Sequence, residues 1–115
     1  MEDFVVKQKE PEVSFEEIFK TYCEMDPVSS SRNLELIPLS QSDRWLISAR
    51  ILDMITITTT DTGLAYFKFR KRALSYEEYL IYLNDLAETH NLNLETMKLK
   101  MKMCGKPKQT ASAIL

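Results

Sequence analysis

Glycine and histidine are scarce in this chain of 115 residues: there are two of the first and one of the second, beside four prolines and two cysteines. A GxGxxG turn needs more glycines than the chain has, and Gly63 and Gly105 stand too far apart to form a GxxxxGK[ST] phosphate loop, which excludes the nucleotide folds that depend on these motifs. So few turn residues also argue against a sandwich and for helices joined by short connections. The lone histidine, His90, is the only base around which serine or cysteine catalysis could be built, and its place beside Asn91 at an expected helix end assigns it to solvent or to the helix dipole. Cys23 and Cys104 have neither CxxC nor zinc-type spacing, which predicts two reduced thiols, with a mutual disulfide as the alternative. No apolar run approaches the roughly 20 residues of a membrane span. The opening MEDFVVKQKEPE is too acidic, and its apolar part too short, for a secretory signal, so an intracellular protein is expected.

What the chain does have is a hydrophobic content of 44%, with five Phe, five Tyr and one Trp, enough for the core of one domain. Its net charge of −2 hides an asymmetry. Residues 1 to 37 carry nine acids and four bases, whereas residues 68 to 115 carry five acids and nine bases. Lys98, Lys100, Lys102, Lys106 and Lys108 form a tract without any acid, which reads either as a solvated face or as a surface that meets an acidic partner.

Residues 1 to 12 are expected to be a flexible acidic lead-in, 13 to 105 the core domain, and 106 to 115 a disordered basic tail. Ser14 with Glu17 forms a capping box, and Phe15, Ile18, Phe19 and Tyr22 then fall on one helical face up to Asp26-Pro27. A second helix, over about Gln41 to Ile51, presents Trp45, Ala49 and Leu52 to the core. Ile55 and Ile57 alternate like a strand and lead through a threonine cluster to Asp61, the expected N-cap of a third helix. Its apolar side is expected to be Leu64, Phe67 and Phe69, and it stops at Arg70-Lys71-Arg72. Ser75 with Glu78 is another capping box, followed by Tyr76, Tyr79, Leu80, Leu83, Leu86 and Ala87 at helical spacing. Asn93 caps a last helix carrying Leu94, Met97, Met101 and Cys104, which Gly105 ends with Pro107 close behind. LELIPLSQSDRWL and KRALSYEEYL both place an aliphatic residue before a serine cap and an aromatic anchor after it. The repeat predicts two helix-linker-helix units whose short linker strands pair side by side, the outline of EF-hand-type units.

Calcium-loop chemistry is absent from both linkers. An EF-hand holds the ion with about six oxygens, mostly from loop positions one, three, five and twelve, and bends at a glycine in position six. Counted from Asp26, those later positions are Val28, Ser30, Ile37 and, at six, Ser31. In the second linker Arg70, Lys71 and Arg72 stand where carboxylates are needed. Glu77 and Glu78 point to different sides of a helix and are not an acid-base pair. Met97, Met101 and Met103 read as core filler. Ser75, following three bases, lies in a context that basophilic kinases accept, although its plainer role is the N-cap.

The run ITITTTDTGLAYFKF followed by LSYEEYLIYLNDLAE, with SFEEIFKTY and LSQSDRWLISARILD upstream and MKMCGKP downstream, resembles the core domain of the tubulin polymerization-promoting protein family. The likeness covers about Ser14 to Pro107. It implies a mainly α, EF-hand-like domain of paired helix-loop-helix units with two short linker strands and a C-terminal helix. It also implies a cytoplasmic, cytoskeleton-associated, non-enzymatic protein that binds tubulin or microtubules and promotes their polymerization or bundling. Three departures stand out: Asp53-Met54 replaces the family's aspartate-glycine turn, the glycine-rich C-terminal segment of longer relatives is missing, and a short acidic lead-in replaces a long basic one. The residues expected to meet tubulin, chosen on charge alone, are Lys68, Arg70, Lys71, Arg72, Lys98, Lys100, Lys102, Lys106 and Lys108. No catalytic residue, metal, cofactor, nucleic acid or membrane is expected. The alternative is a non-calcium-binding adaptor of the same fold that takes a helix of another protein between its two units.

Overall fold

The computed structural model describes residues 13–32 and 34–106, and it is mainly helical with one small sheet. The expected lead-in, most of the tail, Pro107 and Lys108 lie outside the described residues. In chain order the elements are α1 (Phe15–Glu24), α2 (Pro27–Ser31), β1 (Ile37–Pro38), α3 (Leu39–Ser48), α4 (Thr59–Phe67), β2 (Ala73–Leu74), α5 (Tyr76–Thr89) and α6 (Leu94–Met103). The two linkers do pair: β1 and β2 run antiparallel, with Ile37 opposite Leu74 and Pro38 opposite Ala73. α6 packs across α1, α3 and α5 and so braces both halves.

Local capping explains where the helices begin. Ser14 accepts from the Glu17 amide at 3.1 Å while Glu17 accepts from the Ser14 amide at 3.2 Å, and Ser75 and Glu78 repeat the exchange at 3.3 and 2.9 Å. Thr58, rather than Asp61, is the N-cap of α4, and Asp61 closes that capping box from its third position. α3 has no side-chain cap: Pro38 holds that place, the helix starts two residues earlier than expected, and no serine caps it. The repeat is therefore in a different register from the sequence comparison. Ile37 corresponds to Leu74, and Pro38 to Ser75.

Helix ends show what glycine scarcity costs. α3 closes with the Ile51 amide donating to the Leu46 carbonyl and the Arg50 amide to Ile47, both at 2.9 Å, a geometry that requires a left-handed residue after the cap. That residue is Arg50, at φ 61°; Arg70 (φ 55°) and Asn91 (φ 58°) do the same after α4 and α5, and only α6 uses a glycine, Gly105 at φ 75°.

The core is aromatic. Trp45 stacks on Tyr22 at 5.1 Å and on Tyr79 at 5.8 Å, meets Phe15 at 4.9 Å, and donates its indole N–H to the Met101 carbonyl at 3.0 Å. The Tyr66 hydroxyl donates to the Ile37 carbonyl at 2.7 Å and lies 3.2 Å from that of Arg72, which ties α4 to both linkers. That reach decides which side of α4 is buried. Thr62, Ala65 and Tyr66 face inward, while Leu64 (64% exposed) and Phe67 (68%) face out, contrary to the expected Leu64-Phe67-Phe69 stripe, of which only Phe69 packs on the core. Ile55 and Ile57 form no strand either. The Asp53 carboxylate accepts from the amides of Ile55, Thr56 and Ile57 at 2.9, 2.8 and 3.3 Å, folding the segment into a loop that buries Ile57 and leaves Ile55 86% exposed. Met54 takes φ 65° in that loop.

A polar cluster lies among α3, α4 and α5. Ser42 and Tyr79 share a hydrogen bond of 2.9 Å, and Thr62 is fully buried, whereas the shielded Tyr82 hydroxyl and one Asp43 carboxylate oxygen have no partner. Burial pushes the Asp43 carboxyl above its ordinary value, offset in part by the Thr62 hydroxyl.

Two outcomes follow from these features. Arg50→Gly should raise stability by up to about 1 kcal/mol in urea melts, and Gly105→Ala, where the added methyl meets open space but φ is unfavourable, should lower it by about 1 kcal/mol. Asp43 binds its proton more tightly folded than unfolded, so its contribution falls as pH rises from the ordinary carboxylate value through the raised one. Asp43→Asn removes that fall: melts from pH 4 to 8 should show the variant gaining on wild type as pH rises and levelling off above the folded value.

Candidate interaction surface

The expected basic residues separate into two groups carried by different elements. Lys68, Arg70, Lys71 and Arg72 crowd the connection from α4 to β2, which is exposed because the four bases follow the helix end and precede a two-residue strand. Lys68 caps α4 and reaches Asp85 of α5 at 3.0 Å, and Lys71 pairs with Glu78, whose carboxyl is held below its ordinary value first by Lys71 and then by the Ser75 amide. Both lysine side chains stay more than half exposed, at 63% and 54%, and surface pairs of this kind contribute about 0–1 kcal/mol. A carboxylate from another molecule can replace either partner at little expense. Arg70 is exposed at the left-handed turn, and Arg72 is exposed with its carbonyl near the Tyr66 hydroxyl.

The second group is on α6. Lys98 lies over the Phe15 ring at 5.5 Å and is half-buried, so part of its work is packing α6 on α1. Lys100 and Lys102 occupy the last turn, where positive charge suits the helix dipole, and Lys106 is exposed after Gly105. Among the described residues, the structure thus does not gather the eight expected bases that it includes into one site.

Two basic residues that charge reasoning passed over sit beside these groups. Arg32, from the acidic front of the chain, lines a groove of about 580 Å³ with Lys71 and Arg72. The rest of its lining is Asp26, Val28, Leu34, Leu36, Pro38 and Ala73. Arg50 lines a smaller cleft of about 220 Å³ with Lys100 and Asp53, floored by Ile51, Leu92 and Met97. Nothing in the local sequence marked Arg32, since the folding of the first linker against β2 is what brings it to Lys71 and Arg72.

Other chemistry finds little support in the geometry. Among the described residues no three His, Cys, Asp or Glu side chains come together as metal ligands. α2 occupies the part of the first linker that a coordinating loop would use, and its Val28 and Ser30 are exposed. His90 is the C-cap of α5, its amide bonded to the Leu86 carbonyl at 3.0 Å. Cys23 and Cys104 are both free thiols. Burial, followed by Glu35, Glu24 and Asp26, pushes the Cys23 thiol up to about 12, and burial raises Cys104. Burial therefore keeps the thiolate fraction of both low at neutral pH, most strongly for Cys23.

No family model matches the chain, and neither a curated protein nor a solved structure matches it.

The thiols give a direct check on this geometry. In a disulfide-exchange assay at pH 7.5, Cys23 should react only as fast as the protein opens, at least a hundredfold slower than in urea, while half-buried Cys104 reacts ahead of it.

Proposed function

We propose that this chain is a non-enzymatic, cytoplasmic protein that binds tubulin or microtubules and promotes their polymerization or bundling. The observation that carries the reading is the exposed run of four bases within five residues at Lys68–Arg72, joined by the α6 lysines, in a chain whose front is acidic. The likeness of ITITTTDTGLAYFKF and LSYEEYLIYLNDLAE to the tubulin polymerization-promoting protein family gives the partner. An EF-hand-like origin accords with α1 and α3 flanking one linker, α4 and α5 the other, and with the Ile37 and Leu74 pairing between them. Bases in the second linker turn such a unit away from divalent cations and toward carboxylates. Electrostatic attraction sets the association rate here and weakens with salt, the Debye length being roughly 8 Å at physiological ionic strength.

A second reading, an adaptor that binds an amphipathic helix of another protein, is favoured by Leu64 and Phe67 standing out from α4 and Ile81 from α5. A pull-down that recovers a specific partner and no tubulin would select it.

The deciding measurement is co-pelleting with microtubules. Wild type should pellet, less so as salt rises from about 50 to 200 mM, and a variant with Lys98, Lys100, Lys102, Lys106 and Lys108 changed to glutamate should bind about tenfold more weakly. Unchanged pelleting removes those lysines from the interface, and no pelleting of wild type removes tubulin.

A further inference from the structure

The first linker and the second do more than pair their strands. Between them they enclose the groove of about 580 Å³, within the roughly 300–1,000 Å³ over which pockets bury most of a ligand. Its floor and walls are aliphatic: Val28, Leu34, Leu36, Pro38 and Ala73. Val28 is 61% exposed and Leu34 39%, although both belong to a linker with buried neighbours such as Ile37. Its rim carries three cations, Arg32, Lys71 and Arg72, against one lining carboxylate, Asp26. Lys71 is engaged by Glu78, so the excess charge rests on two arginines that reach the groove from opposite linkers.

We propose that this groove docks an acidic peptide segment of a partner protein, one whose carboxylates alternate with aliphatic side chains. Charge complementarity selects the acidic character, because each of the two arginines that line the groove can take a carboxylate in bidentate fashion. The aliphatic floor selects the rest. A polyphosphate or nucleic-acid backbone has nothing to place against Val28, Leu34 and Pro38, whereas a segment alternating Glu with Leu or Val sends one set of side chains down and the other to the rim. The groove takes such a segment whether or not the partner is tubulin.

The test is fluorescence anisotropy with the full chain and a fluorescein-labelled peptide of alternating glutamate and leucine, at about 50 mM salt. Saturable binding is expected, weakened at least tenfold by Arg32→Glu with Arg72→Glu and at least fivefold by Val28→Ser with Leu34→Ser. Arg44→Glu with Arg50→Glu, the same change of charge outside the groove, should have less than a twofold effect. All six substituted side chains are those of exposed residues, and circular dichroism with thermal melting checks that each variant is folded; Arg32→Ala with Arg72→Ala replaces the reversal if it is not. The proposal is overturned if binding is absent, if a leucine-free polyglutamate binds equally well, if oligothymidylate of equal charge displaces the peptide as effectively as unlabelled peptide, or if the Arg44 and Arg50 changes weaken binding as much as the groove changes. Because the probe is a free peptide, failure here leaves microtubule co-pelleting unaffected, and failure of co-pelleting leaves the groove standing.

Discussion

The indole of Trp45 is the point on which the domain depends. One ring touches Phe15 and Tyr22 of α1, stacks on Tyr79 of α5 and donates to a carbonyl of α6, so four helices share a single side chain. Its N–H is fully buried and satisfied, which makes the position specific as well as apolar. Tyr79 continues the stack to Tyr82 at 5.6 Å, and Tyr82 meets Tyr66 edge-on at the same spacing. Tyr66 then reaches the linker carbonyls. An aromatic chain therefore runs from the braced helices to the two-stranded sheet, and it fixes the linkers even though four residues of strand could not hold themselves.

That chain also explains how a domain with two glycines manages its turns. Each non-glycine residue in the left-handed region is strained by about 1 kcal/mol, and three of them end helices here. The strain persists because the residues beyond each turn are anchored: Ile51 and Leu52 are buried after Arg50, Leu74 after Arg70, and half-buried Leu92 packs on the core after Asn91. Asp53 plays the matching role in the loop before α4. One exposed carboxylate collects three loop amides, and those bonds favour its charged form, holding its pKa below the ordinary carboxylate value.

The features legible from the residues alone are those that local chemistry decides. Ser14 with Glu17, Ser75 with Glu78, and Asn93 each mark a helix start within four residues, and the spacing of Phe15, Ile18, Phe19 and Tyr22 marks the buried face. The buried side of α4 is not legible locally because it is chosen 29 residues away, by the Ile37 carbonyl that Tyr66 must reach, and hydropathy prefers Leu64 and Phe67 to Thr62. The start of α3 is hidden for the opposite reason, since a proline caps it and offers no side-chain signature. Among the basic residues, charge identified Lys71 and Arg72 but not Arg32, because a lone arginine in an acidic stretch has no meaning until the linkers meet.

Charge and shape then divide the work at the linkers. An exposed lysine or arginine contributes little to affinity by itself, since water and salt solvate it well and its partner carboxylate must give up the same solvation. The bases at the connection from α4 to β2 and on and just after α6 would, for an acidic partner of the kind proposed, act chiefly as a field that speeds encounter. Affinity requires surface that water leaves, and the aliphatic residues between the linkers supply it next to Arg32 and Arg72. Carboxylates there would draw a cation and close the linkers around it. With arginines in their place, and the linkers already joined through Ile37 and Leu74, aliphatic side chains stay accessible beside the positive charge, which is what the proposed docking of an acidic segment requires.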